Sequence, residues 1–177
     1  MHDPLHHAAA LTVFATALLQ RAGVRDDIAR DVAEVLVDAD LMGHTTHGLG
    51  LLAPYLAEIA NGGMQKSGEP DIVNAHPASQ FWDGKRLPGP WLTRRAFDAA
   101  SAMARTQGSA TIVIRRSHHI ACLAAYLPAI TQRGQMGLVY CSDPNNQSVA
   151  PFGGLTPVFT PNPFAAVEIM TWLMGSL

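Results

Sequence analysis

Two cysteines among 177 residues exclude a disulfide framework, and Cys122 and Cys141 lack the paired spacing of a zinc site. They are expected to be reduced, buried thiols, Cys122 on a helix and Cys141 at the end of a strand. No apolar run reaches membrane-spanning length: the stretch from Phe164 to Leu177 is about half of one, and Glu168 interrupts it. The opening Met1-His-Asp-Pro-Leu-His6-His7 has no basic leader segment. Neither sign of charge dominates. Twelve Lys and Arg face 14 Asp and Glu, for a net charge of −2, which speaks against nucleic acid or an anionic membrane as partner. Arg115-Arg116 is only a local basic spot. The chain carries no G-x-G-x-x-G, no phosphate-binding P-loop, no G-x-S-x-G elbow and no H-E-x-x-H. A cytoplasmic chain without a Rossmann or P-loop site is expected.

Apolar residues make up 48% of the sequence, enough for a proper core. Leu11, Phe14, Leu18 and Ala22 recur at helical steps, so a helix is expected over 8–22, closed by Gly23. A second is expected over 27–39, with Ile28, Val32, Val35 and Leu36 on one face. A third follows Thr46, with Leu52, Tyr55, Leu56 and Ile59 aligned, and ends at Asn61-Gly62-Gly63. The period then shortens. Strands are expected over 71–75 and 80–82 with Asp83-Gly84 as a turn, then an alanine-rich helix over 91–106. A strand over 109–114, an amphipathic helix over 120–132 and a strand over 137–141 follow, suggesting neighbouring parallel strands. Residues 142–163, rich in Pro, Gly and Asn, read as ordered binding loops. The class is α/β. The expected division is a helical region over 1–65, an α/β part over 66–166 and a tail over 167–177.

The densest chemistry lies where the strand ending at Ile114 leads through Arg115-Arg116-Ser117-His118-His119 toward a helix. An imidazole titrates near neutrality, so His119 could take a hydroxyl proton or return one; it could equally bond a backbone group at a helix start. His118 reads as structural or solvent-facing. In His44-Thr45-Thr46-His47, Thr45 or Thr46 is expected to cap the third helix, placing His47 in a first turn that favours a neutral imidazole donor. Tyr55 lies two turns on, as a substrate contact or a core residue. His44 and His47, with His118 or His119, could instead hold a metal. Ser142-Asp143-Pro144-Asn145-Asn146 could orient a histidine or bind a cofactor hydroxyl, and is also turn chemistry.

Four blocks in order carry a resemblance. Asp40-Leu-Met-Gly43-His-Thr-Thr46-His47-Gly48, with Tyr55 and Gly62-Gly63, resembles the "G-x-x-S/T-H-G … Y … G-G" signature of the malate/L-lactate dehydrogenase family of NAD(P)-dependent 2-hydroxyacid oxidoreductases. Arg116-Ser117-His118-His119-Ile120 is similar to its "N-S-x-H-F-G" block. Val149-Ala-Pro-Phe-Gly153-Gly154 and Thr160-Pro-Asn162-Pro163 are similar to its "A-P-x-G-G … G-T-N-P" blocks. The resemblance covers about residues 5–166. It implies a sulfolactate-dehydrogenase-like, non-Rossmann fold of N-terminal helices and a mixed sheet, and a homodimer.

The resemblance also implies roles. His119 would be the acid/base, with His47 beside it in catalysis. Thr46 and His47 would bind the carboxylate or carbonyl oxygen of a 2-hydroxyacid or 2-oxoacid, with Tyr55 nearby. Ser142, Asp143 and Asn162 would help hold NAD or NADP. Three departures stand out. The arginine expected four residues after the signature histidine is Leu51, the Phe-Gly after the acid/base is Ile120-Ala121, and family chains are about twice as long. A truncated N-terminal half is therefore expected, either active or a remnant that only self-associates.

Overall fold

Helix formation here follows apolar spacing more than capping. The computed structural model describes residues 5–143 and 147–167, which group into two compact units divided between Tyr126 and Leu127. In the first unit α1 (Ala8–Arg21) and α2 (Asp26–Leu41) match the expected helices, and none of the helices of this unit carries a side-chain N-cap bond. Asp26 and Asp27 in the first turn of α2 instead oppose the helix dipole.

α2 is the axis of the core. Ile28, Ala29, Val32, Ala33, Val35 and Leu36 are buried, and α1 adds Ala15 and Leu19. α3 (Leu52–Ala60) adds Leu52, Tyr55 and Ile59, and α4 (Gly89–Gln107) adds Trp91 and Leu92. Burial of the Val, Leu and Ile side chains among these contributes about 1.5–3 kcal/mol each. Charges lock the α2–α4 seam: Arg94 bonds Asp31 at 2.9 Å and also Glu34. The indole N–H of Trp91 donates to Asp27 at 3.0 Å, while Arg25 and Arg95 lie over the Trp91 ring, 5.0 and 4.7 Å from its centroid.

The sheet order is β1 (Asp71–His76), β2 (Ser79–Asp83), β3 (Thr111–Arg115). β1 runs antiparallel to β2, and β2 parallel to β3 with Asp83 opposite Arg115. A parallel pair needs a crossover, and α4 supplies it. The sheet is therefore mixed, as expected. The parallel partner of β3 is β2, however, and not the strand that follows. That strand, β4 (Gly137–Tyr140), belongs to the second unit, where it pairs antiparallel with β5 (Phe164–Val167).

The helix expected over 120–132 does not form. Residues 120–122 are irregular, a 3₁₀ turn spans Leu123–Tyr126, and one helical turn, α5, occupies Pro128–Thr131. Pro128 explains the break, because it has no N–H to donate and its ring collides with the preceding turn. Cys122 therefore lies off any helix; it is buried and Cys141 half-buried, and both are free thiols. In the second unit, an isolated Val149–Phe159 bridge joins the loops of the 147–163 stretch, and Pro144–Asn146 and the tail beyond Val167 fall outside the described residues. No described helix is long and apolar enough to cross a membrane.

Candidate active site

Three segments of the first unit converge on one cluster of rings. The segment after α2 carries His47. It is not the first turn of α3, and Thr46 is not its cap. Two 3₁₀ turns, Thr45–His47 and Leu49–Leu51, come first, because Pro54 is tolerated only in the first turn of a regular helix and so keeps α3 from starting earlier. The Thr46 hydroxyl lies 2.9 Å from Nδ1 of His47, and both residues are exposed. The two turns meet at Gly48, where a β-carbon would collide with the Asp40 carboxylate, and that carboxylate accepts the Leu49 N–H at 2.8 Å. Asp40 thus sets the path past His47, a role its sequence context did not reveal.

α3 supplies Tyr55, only 2% exposed. Its hydroxyl lies 2.8 Å from His119 Nδ1 and 3.3 Å from the His119 carbonyl oxygen, to which it can donate. Burial pushes the phenol pKa well above its ordinary value, so the hydroxyl stays protonated. Tyr55 therefore reaches His119, beyond the core role or substrate contact its position suggested.

The turn after β3 supplies His118 and His119. His119 is exposed. The Ala121 N–H donates to its Nδ1 at 3.2 Å. A backbone N–H can only donate, so this contact places the proton of the neutral ring on Nε2. The His47 and His119 rings stack with centroids 5.8 Å apart and planes at 25°. Tyr55 meets His118 and His119 edge-on, at 5.7 and 6.0 Å. His118 is mostly buried, with Nε2 3.6 Å from a Glu58 oxygen.

Of the residues singled out from sequence, His47, Tyr55 and His119 come together, with Thr46 bonded to His47. Ser142, Asp143 and Asn162 lie in the second unit. The Cys141 N–H bonds the Pro163 carbonyl at 3.2 Å, so positions 142 and 162 flank one end of the β4–β5 ladder. Ser142, Asp143 and Asn162 are exposed, and the Asn162 amide donates to the Thr160 carbonyl at 3.0 Å. Among the described residues no group of three or more His, Cys, Asp or Glu is placed to hold a metal ion.

Helices on a small mixed sheet, with His119 beyond the end of β3 and the His47 ring stacked on it, define an α/β protein. The fold aligns with the sulfolactate dehydrogenase of Methanocaldococcus jannaschii at a TM-score of 0.84 and 25% identity, over 91% of this chain and 46% of that one. The sequence profile of the malate/L-lactate dehydrogenase family matches residues 6–167, and the chain belongs to that family. It is 31% identical over 147 residues to the L-lactate dehydrogenase of Cupriavidus necator, covering 82% of this chain and 42% of the relative. It is 30% identical over 165 residues to the ureidoglycolate dehydrogenase (NAD(+)) of Escherichia coli O157:H7, covering 89% and 46%. The chain thus spans less than half the length of these two relatives.

Proposed function

We propose that the chain supplies the proton-transfer half of an oxidoreductase that moves hydride between NAD or NADP and a small 2-hydroxyacid or 2-oxoacid, or a cyclic imino acid. The observation that carries this is the Tyr55–His119 bond with the His47 ring stacked beside it. In the neutral Nε2–H form, His119 donates a hydrogen bond to a substrate oxygen. Service as a base requires the other tautomer: the ring gives up the Ala121 contact and exchanges its proton through solvent from Nε2 to Nδ1, the Tyr55 oxygen accepts that Nδ1–H while the Tyr55 hydroxyl donates to the His119 carbonyl, and Nε2 can then take the C2 hydroxyl proton. Tyr55 thereby lets one imidazole serve both directions and acts through His119 as a positioning residue. Leu51 stands where an arginine was expected, so Thr46 and His47 are the groups left in this segment to hold the substrate carboxylate.

The nicotinamide, when bound, gives or takes the hydride at C2. Ser142, Asp143 and Asn162 would hold it: a hydroxyl, a carboxylate and an amide, exposed beside one ladder end, match the hydroxyl and phosphate chemistry of a dinucleotide. A cytoplasmic setting agrees with two free thiols. On this reading the helical region over 1–65 brings Thr46, His47 and Tyr55, and the α/β part over 66–166 brings His119 together with the cofactor groups Ser142, Asp143 and Asn162.

The test follows nicotinamide absorbance with NAD⁺ or NADP⁺ and a panel of 2-hydroxyacids. His119→Asn is expected to lower kcat by about 10²–10⁴-fold, the usual worth of a positioned acid/base. Turnover unchanged by that substitution overturns the assignment. A second reading has its own observation: Phe152, Leu155, Phe159 and Phe164 are exposed in the second unit. Such apolar exposure favours association, as the homodimer of the first reading or as an inactive self-associating form. Dimers by light scattering with no hydride transfer on any substrate would select the inactive form.

A further inference from the structure

His119 is bracketed by backbone that side chains rarely adopt. Arg116, three residues before it, has φ 52°, and Ala121, two residues after it, has φ 55°. Left-handed non-glycine residues persist only where their surroundings over-determine them, and they gather at functional sites. Asn is the non-glycine residue that tolerates this conformation best, and arginine has no such preference.

The surroundings of Arg116 are unusually specific. Asp83, at the end of β2, is only 3% exposed. Its carboxylate accepts Arg116 Nε at 2.8 Å and the Arg116 Nη2 group, Arg115 Nε at 3.0 Å, and the Lys85 N–H at 3.0 Å. Backbone bonds tie the same two segments: Gly84 N–H to the Arg115 carbonyl at 2.8 Å, Arg86 N–H to the Arg116 carbonyl at 2.7 Å, and His118 N–H to the Leu87 carbonyl at 3.1 Å. Just beyond, a β-carbon on Gly89 would collide with the His118 and His119 carbonyls, so the start of α4 lies directly under the histidines. On the other side the Tyr126 hydroxyl donates to the Ile120 carbonyl, and Ala121 is buried.

We propose that Asp83 is the positioning residue of His119: it holds Arg116 in the left-handed turn from which Ser117-His118-His119 leaves β3, and so keeps His119 Nδ1 on the Ala121 N–H and the Tyr55 hydroxyl. The double arginine is then a clasp for a buried carboxylate and not a ligand site. The Arg116 guanidinium holds the Asp83 carboxyl far below the usual carboxylate range, so the clasp stays charged wherever the protein is folded near neutrality. The functional weight of the clasp rests on His119 being the acid/base, whereas its structural content stands apart from turnover.

The test reads the ring itself. The full chain with ¹⁵N-labelled histidine is examined by long-range ¹H–¹⁵N spectra, with His119→Asn assigning the signals and circular dichroism confirming the fold. The wild type is expected to show one neutral His119 form, with the proton on Nε2. Asp83→Ala lowers the ratio of the Nε2–H to the Nδ1–H form by about five- to tenfold, the equivalent of roughly one hydrogen bond to the ring. Arg116→Asn keeps the wild-type form, because asparagine adopts the turn unaided, and Asp83→Ala combined with Arg116→Asn returns the ratio toward wild type. A folded Asp83→Ala protein with an unchanged His119 signature, or a double variant no better than Asp83→Ala alone, overturns the proposal. Should Asp83→Ala fail to fold, Arg116→Ala, whose side chain is largely exposed, is expected to show the same mixing, and an unchanged spectrum there overturns it equally. Hydride transfer absent while the spectra respond as expected would sink the dehydrogenase reading and leave the clasp intact.

Discussion

The two units differ in what lies beneath their functional groups. In the first, Tyr55, Leu52, Ala121 and Tyr126 belong to one buried cluster that runs through α2 to Trp91. The ring cluster of His47, Tyr55 and His119 therefore stands on a core complete within that unit. In the second, Ser142, Asp143 and Asn162 stand on a two-stranded ladder whose Tyr140 and Phe164 stack on each other and remain 68% and 67% exposed. Two strands alone are marginal in water. The contrast teaches that the geometry of the ring cluster is fixed by residues close to it in the fold, whereas the proposed cofactor groups depend on surface that the ladder does not bury.

The largest expected effect tests the first half of that contrast. Trp91 is buried at the α4–α2 seam and bonded to Asp27. Trp91→Ala is expected to destabilise the first unit by about 3–5 kcal/mol, measured by urea unfolding followed by helical circular dichroism. Phe164→Ala should change the same transition by less than about 0.5 kcal/mol, since it removes an exposed ring. Equal losses would mean that the units unfold as one.

Amide exchange sharpens the same comparison without a mutation. Backbone amides of α2 should open only with global unfolding, while those of β4 and β5 open locally, with free energies lower by roughly 2–3 kcal/mol. That difference corresponds to protection about a hundredfold weaker in the ladder. Uniform protection would place an unseen stabilising contact on the second unit and remove the contrast.

Legibility from sequence divides along similar lines. The helices α1, α2 and α4 were readable because apolar spacing and a closing glycine agree there, although the sequence did not mark α4 as the crossover. The mixed sheet was readable as a class, but the partner of β3 was not. Pairing is a long-range choice, and a strand that follows in sequence looks as suitable as one that precedes. Pro128 and Pro54 were visible signals of the broken helix after His119 and of the 3₁₀ entry to α3, and the apolar pattern obscured both. Among the site residues, His47, Tyr55 and His119 were singled out by type and spacing. Asp40 and Asp83 were not, because a carboxylate that organises backbone looks in sequence like turn chemistry.

Within the site, Tyr55→Phe should have a smaller effect than either comparison above. It removes a hydroxyl with two acceptors on His119 and leaves the ring packing intact. About 1 kcal/mol of stability is expected to be lost. On the dehydrogenase reading, kcat should fall more than KM rises, because the hydroxyl acts on the imidazole and not on the substrate. A rise in KM alone would return Tyr55 to the substrate-contact role.

The smallest effect concerns pH, and it separates two aspartates on one helix. The Arg25 guanidinium, hydrogen-bonded at 2.6 Å, holds the Asp27 carboxyl down to about 2, below its ordinary value. A depressed carboxyl stabilises the fold above its ordinary pKa, and that contribution is lost as pH falls through the folded value. Stability carried by Asp27 should therefore disappear between about pH 4 and 2. Asp31 is opposite: burial raises its carboxyl despite Arg94, so its ionisation weakens the fold as pH rises through the raised value. Asp27 is about half exposed, so solvent screening limits its share to about 0.5 kcal/mol. Asp27→Asn is expected to lower stability by that amount at pH 7 and to flatten the acid limb, read by indole fluorescence because Trp91 donates to Asp27. Asp31→Asn should leave that limb in place. Equal slopes in the two variants would show that an ionised Asp27 does not hold the Trp91 indole at the α4–α2 seam.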